Sequence, residues 1–324
     1  MNFTRMLAAA VTALSLSAPL ALAPSSAAPA VERLGATAPS PRAADPSDDH
    51  VVLPKRCDPN PAQMPTNPIA CHLNTFDAGR PTMLLWGDSH AWMYIPALKA
   101  AAAGKDVNLV AVVKGTCPPI QFPTTNAPTK LSCYQFNKIG LDLVKKIKKS
   151  GQPLRVLLGG SWQRYLEALA HPDRQDDYTI QYAKYFEKGT PRLLKTLGAM
   201  HVKTDVIGQT GYPCAATNER PKCHLDELPE CGLSTDPFAC DLPRGEMLPD
   251  EASTRSWVKN KMKVLTAGKR YISANDKFCD PVGDANPMCH GYQDGVYTFY
   301  DNDHLSLTFS KSLKAMFTKS VPGA

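Results

Sequence analysis

From Pro81 onward the sequence alternates short apolar runs with longer helical segments, and this alternation leaves few folds open to the chain. Strands are expected over 82–86, 107–113, 154–158, 202–207 and 270–273, and helices over 91–103, 132–149, 162–170, 178–198, 250–267 and 306–318. We expect the helix over 178–198 to break at Gly189-Thr190-Pro191. Continuous apolar strands between helices are typical of a parallel sheet covered on both faces, so we predict a three-layer α/β/α fold.

The first apolar run ends in a turn that carries a serine. The run breaks at Gly87, Asp88 and Ser89 follow, and an Ala-rich helical segment begins at once. A strand, a tight turn and a helix together can expose a nucleophilic hydroxyl, although a serine in this place is more often a helix N-cap. Ligands of open α/β sheets bind beyond the carboxyl ends of the strands, where Ser89 is expected to lie.

A second candidate segment lies near the other end of the chain and contains Asp301 and His304. On one helical turn, residues three apart share a face, so the Asp301 carboxylate could hold one nitrogen of the His304 imidazole. The other imidazole nitrogen could then accept the serine proton. Asp303 is the other candidate orienter, but its place beside the histidine favours a side chain that caps the next helix or faces solvent. His90 is an alternative base that we expect to pack or cap instead.

These two segments resemble the first and last blocks of the SGNH hydrolase superfamily. Gly87-Asp88-Ser89-His90 and the run from Asp301 to Ser306 carry the resemblance, which covers about residues 80–318. More narrowly, they resemble the SGNH domain that is fused to, or works beside, membrane acyltransferase-3 proteins, in keeping with Cys117-Pro118-Pro119 and the Cys279/Cys289 pair. The resemblance implies a flavodoxin-like sandwich, the SGNH hydrolase fold, with Ser89, His304 and Asp301 as a catalytic triad.

The resemblance also implies where the oxyanion hole lies. The backbone N–H of Ser89 is one expected donor, and Gly115 matches the family's glycine after the second strand by position. The family's asparagine block after the third strand is replaced by Gly159-Gly160-Ser161-Trp162, as in the acyltransferase-associated subgroup. Ser161 or the backbone around Gly160 is therefore the candidate third donor.

The sequence before Pro81 differs in composition from the rest of the chain. Residues 1–28, with Arg5 before an apolar Ala/Leu-rich run, are typical of a secretory signal peptide. We expect a flexible Ala/Pro-rich linker over 29–56, an N-terminal extension over 57–80 and the catalytic domain over 81–324. The Cys- and Pro-rich stretch 208–249 lacks periodicity and is predicted to be an insertion near the mouth of the site.

The chain contains 10 cysteines, an even number that favours disulfides in an exported protein. Local pairing predicts Cys57–Cys71, Cys117–Cys133, Cys214–Cys223, Cys231–Cys240 and Cys279–Cys289. There is no Cys-x-x-Cys motif, so no metal site is predicted, although His224 beside Cys223 keeps a zinc alternative open. We expect no cofactor.

The net charge and the family resemblance together indicate the class of function. The formal net charge of +6 is modest for this length, and the lysines over 145–149 are expected to form the solvated face of a helix, which gives no indication of nucleic-acid binding. We expect an exported serine O-acyl esterase or O-acyltransferase of the periplasm or cell envelope, acting on an acylated envelope glycan or small acyl ester. The resemblance implies a separate membrane acyltransferase-3 protein as donor. The alternative is a catalytically weak glycan-binding or scaffold protein on the same fold.

Overall fold

A computed structural model describes residues 46–58, 69–125, 127–174, 177–211, 240–301 and 303–323. The strands are β1 (Cys71–His72), β2 (Thr82–Gly87), β3 (Asn108–Val113), β4 (Leu154–Gly159), β5 (Lys203–Ile207), β6 (Asp241–Pro243), β7 (Lys269–Ile272), β8 (Met288–His290), β9 (Tyr292–Gln293) and β10 (Val296–Tyr297). The α-helices are α1 (Ser89–Trp92), α2 (Ile95–Ala102), α3 (Ser132–Lys149), α4 (Trp162–Ala170), α5 (Asp177–Ala199), α6 (Arg244–Met247), α7 (Glu251–Lys261), α8 (Leu307–Ser312) and α9 (Lys314–Phe317). Short 3-10 helices cover Pro46–Asp48, Pro172–Arg174, Met262–Val264, Asn275–Lys277 and Thr318–Ser320.

The central sheet has the strand order β1-β3-β2-β4-β5-β7. The last five strands of this order are parallel, and β1 is an antiparallel edge strand on β3. In chain order the parallel strands run second, first, third, fourth, fifth, which is the flavodoxin-like arrangement. The predicted fold class is therefore confirmed, and β2, which ends at Gly87, lies at the topological switch point.

Side chains alternate between the two faces of the sheet and build two apolar layers. On β2, Met83 and Leu85 pack in the layer that contains α2 and α8, whereas Leu84 and Trp86 pack in the layer that contains α3, α4 and α5. All four side chains are buried. On the outer side of α3, the lysines over 145–149 are exposed, as the sequence predicts.

The predicted break in α5 does not occur, because the helix continues through Pro191. The loop after β3 packs against this turn instead. Gln121 N–H donates to the Gly189 carbonyl, and the Thr190 hydroxyl donates to the Pro119 carbonyl. A Cβ on Gly189 would lie 2.9 Å from a side-chain atom of Ile120, so glycine permits this close packing. The Gly-Thr-Pro sequence is thus a docking site for the loop within a continuous helix.

The residues before β2 are part of the domain from about Asp49 onward. Val51 and Leu53 are buried, and the Asp49 carbonyl accepts a hydrogen bond from Leu307 N–H. The last residues of the linker predicted over 29–56, from about Asp49, are therefore packed against the domain and are not part of a flexible linker. The signal peptide predicted over 1–28 lies outside the described residues. Among the helices that are described, none has the length and apolar character needed to cross a bilayer.

Disulfides join Cys57 to Cys71, Cys117 to Cys133 and Cys279 to Cys289, as local pairing predicts. Cys240 is also disulfide-bonded. The pairs predicted for Cys214–Cys223 and Cys231–Cys240 lie wholly or partly outside the described residues, as does His224. Of the insertion predicted over 208–249, only residues 208–211 and 240–249 are described, and Met247 and Leu248 are buried among them.

Candidate active site

The serine lies on a sharp turn between β2 and α1, which we call the elbow (Gly87–His90). The turn depends on glycine, because a Cβ on Gly87 would lie 1.8 Å from the Gly159 carbonyl oxygen on the neighbouring strand. No side chain fits at that distance, so only glycine allows β2 and β4 to approach this closely. Ser89 follows two residues later and is partly accessible.

Asp88 fixes the elbow through both of its carboxylate oxygens. Its Oδ1 accepts the backbone N–H of His90 at 2.8 Å, which caps α1. Its Oδ2 accepts the Ser161 N–H at 2.9 Å and the Tyr165 hydroxyl at 2.7 Å. The side chain is buried, so these hydrogen bonds tie the elbow firmly to the segment after β4.

Strand register aligns the three predicted oxyanion residues. Gly87 pairs with Val113 on β3 and with Gly159 on β4, so the strands end level with one another. Ser89, Gly115 and Ser161 each follow two residues beyond these positions. The Ser161 N–H is donated to Asp88, and the Ser161 side chain is buried.

The histidine comes from the segment Tyr300–Leu305, which we call the histidine loop. Asp301 Oδ1 accepts the backbone N–H groups of Asp303 at 3.0 Å and His304 at 2.7 Å, and this side-chain turn replaces the helical turn that spacing predicted. Asp301 Oδ2 lies 2.7 Å from His304 Nδ1. The aspartate thus holds both the backbone and the imidazole of His304.

Asp303 also faces the imidazole of His304, so the prediction that it points elsewhere is wrong. Its Oδ1 lies 2.8 Å from His304 Nδ1, and its Oδ2 lies 3.7 Å from His90 Nε2. The following helix is capped by Ser306, whose Oγ accepts the Phe309 N–H. The cap that was expected from Asp303 is therefore supplied by another residue.

His90 and two aromatic residues complete the surroundings of His304. The ring centroids of His90 and His304 are 5.4 Å apart. Tyr300 stacks on His304 at 5.8 Å with an interplanar angle of 17°, and Trp92 meets it edge-on at 6.2 Å. The chain neighbours of Ser89 and the histidine loop therefore meet at one edge of the sheet.

Met93, at the end of α1 just after the elbow, contacts the C-terminal region. Its carbonyl accepts the buried Ser310 hydroxyl at 2.6 Å, and its sulfur lies 3.4 Å from the Leu305 N–H. Within the described residues, His304 Nε2 is buried and makes no hydrogen bond. The Ser89–His304 hydrogen bond of a working triad is therefore not formed in this structure; such bonds are often long before substrate binds.

Electrostatics in this cluster favour a protonated imidazole. Burial lowers the pKa of His304, but the charge of Asp303 and the hydrogen bonds with Asp301 and Asp303 outweigh it and raise the pKa to about 10. Burial likewise raises the pKa of Asp303, whereas the charge of His304 holds it well below its usual range. The pKa of Tyr300 is raised by burial and by the neighbouring Asp301.

His90, Asp303 and His304 present ligand atoms within 4.8 Å of one another. Two imidazoles and a carboxylate have the composition of a transition-metal site. The contacts of His304 Nδ1 with the two aspartates explain why these three side chains lie together without an ion. That the protein has no metal site stays a prediction.

Sequence reasoning missed the contributions of Asp88, Tyr165 and Tyr300. Asp88 carried a signal that could have been used, because an aspartate directly before a helix is a preferred N-cap. The contacts of Tyr165 and Tyr300 join distant parts of the chain and leave no local pattern.

Comparison with known proteins agrees with this geometry. A family model described as "SGNH domain (fused to AT3 domains)" matches residues 56–319, so the chain belongs to that family. No curated protein matches the chain in sequence. The periplasmic domain of a lipopolysaccharide acetyltransferase from Salmonella ser. Paratyphi A has a similar fold, with a TM-score of 0.50 and 18% sequence identity over 75% of this chain and 84% of that chain. The resemblance stated from the sequence is confirmed, and membership supports an enzyme that modifies acyl groups.

Proposed function

We propose that this protein is an exported SGNH-type enzyme that removes or transfers O-acyl groups through an acyl-Ser89 intermediate. The observation that carries the proposal is the convergence of the elbow and the histidine loop, with His304 Nδ1 held 2.7 Å from Asp301. This contact leaves Nε2 as the nitrogen that can act as the base.

In the first half-reaction, the Ser89 hydroxyl attacks the carbonyl carbon of an ester. Nε2 of the neutral His304 imidazole accepts its proton, so the raised pKa of His304 makes the reaction faster at alkaline pH. The tetrahedral intermediate collapses, the C–O bond to the alcohol breaks, and the imidazolium returns the proton to the leaving alkoxide. In the second, water or a sugar hydroxyl attacks the acyl-serine and releases Ser89. Water makes the protein an esterase, and a sugar hydroxyl makes it an O-acyltransferase.

Within this proposal, the Ser89 N–H, Gly115, and Ser161 or the backbone around Gly160 stabilise the oxyanion. These residues follow three strands whose ends are level in register. Donors fixed around a developing oxyanion supply about 2.7–4 kcal/mol each to the transition state.

The proposed substrate is an acylated envelope glycan or a small acyl ester, with a membrane acyltransferase-3 protein as donor. The family description, in which the domain is fused to AT3 domains, supports this partnership. The similar solved structure is the periplasmic domain of a lipopolysaccharide acetyltransferase, which supports a glycan acceptor. Export is supported by the three disulfides, since such bonds persist in oxidising compartments.

One observation favours a second function, a catalytically weak glycan-binding protein on the same fold. His304 Nε2 makes no hydrogen bond within the described residues, so the nucleophile and the base are not yet engaged. A binding protein would have no need of that contact.

Turnover of p-nitrophenyl acetate separates the two functions. We expect the mature protein to hydrolyse the ester, Ser89→Ala to lose the activity and Ser253→Ala, at an exposed helical serine, to retain it. Faster release of p-nitrophenol with added sugar acceptors would indicate a transferase. Equal turnover by the protein and Ser89→Ala would overturn the proposal.

A further inference from the structure

A single aspartate is enough to orient the histidine of a Ser-His-Asp triad, yet two carboxylates share one nitrogen here. Asp301 Oδ2 lies 2.7 Å from His304 Nδ1, and Asp303 Oδ1 lies 2.8 Å from the same atom. The mechanism proposed above uses only the first of them. The second is mostly buried, with 21% of its side chain exposed, so its charge must be compensated nearby.

The two oxygens of Asp303 serve two different imidazoles. Oδ1 faces His304 Nδ1, and Oδ2 faces His90 Nε2 at 3.7 Å. The carboxylate therefore lies between a histidine of the elbow and the histidine of the loop. A rotation of Asp303 away from His304 would also remove it from His90.

The His90 side chain is buried, and its backbone is fixed within the elbow. Only 2% of its side chain is exposed, and its backbone N–H is donated to Asp88 Oδ1 at 2.8 Å. Asp88 in turn is bound to the segment after β4 through Ser161. The backbone of His90 is thus set by the elbow, and its ring lies between the elbow and the histidine loop.

We propose that Asp303 is a second positioning carboxylate for His304 and that His90 holds Asp303 in that position. This inference rests on the proposed function, in which His304 is the base. Both carboxylates belong to the histidine loop. Asp301 also holds the backbone of that loop, whereas Asp303 also faces His90 of the elbow that carries Ser89. Either carboxylate then keeps Nδ1 occupied and Nε2 directed at the serine.

The charges around His304 agree with this arrangement. Asp301 and Asp303, both in the histidine loop, are the carboxylates that face the His304 imidazole, and His90 of α1 lies next to it. The uncharged rings of Tyr300 and Trp92 cover the imidazole. The charge of Asp303 is the largest of the contributions that raise the pKa of His304. Removing it should lower the pKa of His304 more than a remote substitution would.

Proton NMR of the intact protein, labelled with ¹⁵N-histidine, tests the arrangement without any need for activity. A downfield Nδ1–H resonance, assigned by its loss in His304→Gln, should persist in Asp301→Asn and in Asp303→Asn and disappear in the double variant. Asp142→Asn, at an exposed aspartate on α3, should leave it unchanged. If Asp303→Asn leaves the resonance unmoved while Asp301→Asn alone abolishes it, the proposal fails.

Kinetics provide the second readout. Each single Asn variant should lower kcat by less than the roughly 10⁴-fold loss seen when a triad loses its only aspartate, and the double variant should reach it, with KM little changed. In Asp303→Asn, the midpoint of the rising limb of the pH–kcat profile, where His304 loses its proton, should also move to lower pH, because His304 loses a negative neighbour. A drop in kcat with an unmoved midpoint would mean that Asp303 is only structural.

His90→Gln keeps both carboxylates and so tests the anchor separately, including the case in which Asp303→Asn does not fold. It should shift the resonance and the pH midpoint in the same direction as Asp303→Asn, by less, and add nothing in the Asp303→Asn background. Equal shifts in both backgrounds would refute the anchoring role. If the NMR pattern holds while Ser89→Ala retains full turnover, the proposed function fails and the positioning inference stands.

Discussion

The elbow and the histidine loop supply the two halves of the candidate site, and they are held by different forces. The elbow is fixed by backbone: β2 is paired on both sides, and Gly87 leaves no room for movement against Gly159. The histidine loop is held by side chains, chiefly Asp301 bonded to the backbone and ring of His304. The position of the nucleophile therefore depends on the sheet, whereas the position of the base depends on a few side-chain contacts.

The largest expected effect is on activity and concerns both regions equally. His304→Gln and Ser89→Ala should each lower kcat by about 10⁴- to 10⁶-fold, and the double variant should be no worse than either, because the two groups act as one unit. Initial rates with p-nitrophenyl acetate measure this. His171→Gln, at an exposed histidine after α4, is the matched control. Additive losses would show that the two regions do not form one catalytic unit.

The next largest effect is a pH dependence of stability that comes from the histidine loop and not from the elbow. The pKa of His304 is raised from 6.5 to about 10 in the folded protein, so its contribution to stability is full below pH 6.5 and is lost as the pH rises through about 10. The contribution is on the order of 5 kcal/mol at most. Urea unfolding between pH 6 and 10.5 should show stability falling with pH, and His304→Gln should flatten that fall. Parallel curves for the two proteins would contradict this.

Gly87→Ala should damage the elbow without touching the histidine loop. The new Cβ would lie 1.8 Å from a backbone oxygen, so β2 and β4 must move apart, at a cost of about 3 kcal/mol. Thermal unfolding measures the loss. Gly245→Ala is the control, since a Cβ there meets nothing within 4 Å. Equal melting temperatures for the two variants would show that the close approach is not needed.

Asp88→Asn should have the smallest effect, about 2 kcal/mol of stability, because an amide cannot accept all three of the hydrogen bonds that reach the carboxylate. The variant should lose activity only to the extent that less of the protein is folded, and the His304 Nδ1–H resonance should keep its position. Asp142→Asn, at an exposed carboxylate, serves as the reference in chemical unfolding. A displaced resonance would mean that the two regions are coupled more tightly than the structure indicates.

The elbow could be predicted from sequence because its determinants are local. An apolar run, a glycine, an acidic N-cap and a helix follow one another, and the structure places strand, turn and helix in that order. The strands β2, β3 and β4 were predictable for the same reason, since each is mainly an apolar run. The short edge strand β1 (Cys71–His72) has no such run and was not predicted. The expected helix over 91–103 is divided into α1 and α2, with Pro96 in the first turn of α2.

The histidine loop could be predicted only in part. The spacing of Asp301 and His304 indicated a pair, but the turn that joins them is made by side-chain hydrogen bonds and not by a helix. Asp303 Oδ2 lies 3.7 Å from Nε2 of His90 at the other end of the chain, and no local pattern encodes that proximity. The same reason explains α5, where the loop that packs at Pro191 comes from after β3.

Intact-mass spectrometry after brief exposure to p-nitrophenyl acetate tests whether Ser89 is acylated. We expect one acetyl adduct on the folded protein, located at Ser89 by peptide mapping and absent from Ser89→Ala. An adduct that persists in Ser89→Ala, or ester hydrolysis by folded Ser89→Ala at the rate of the unchanged protein, would contradict an acyl-Ser89 intermediate.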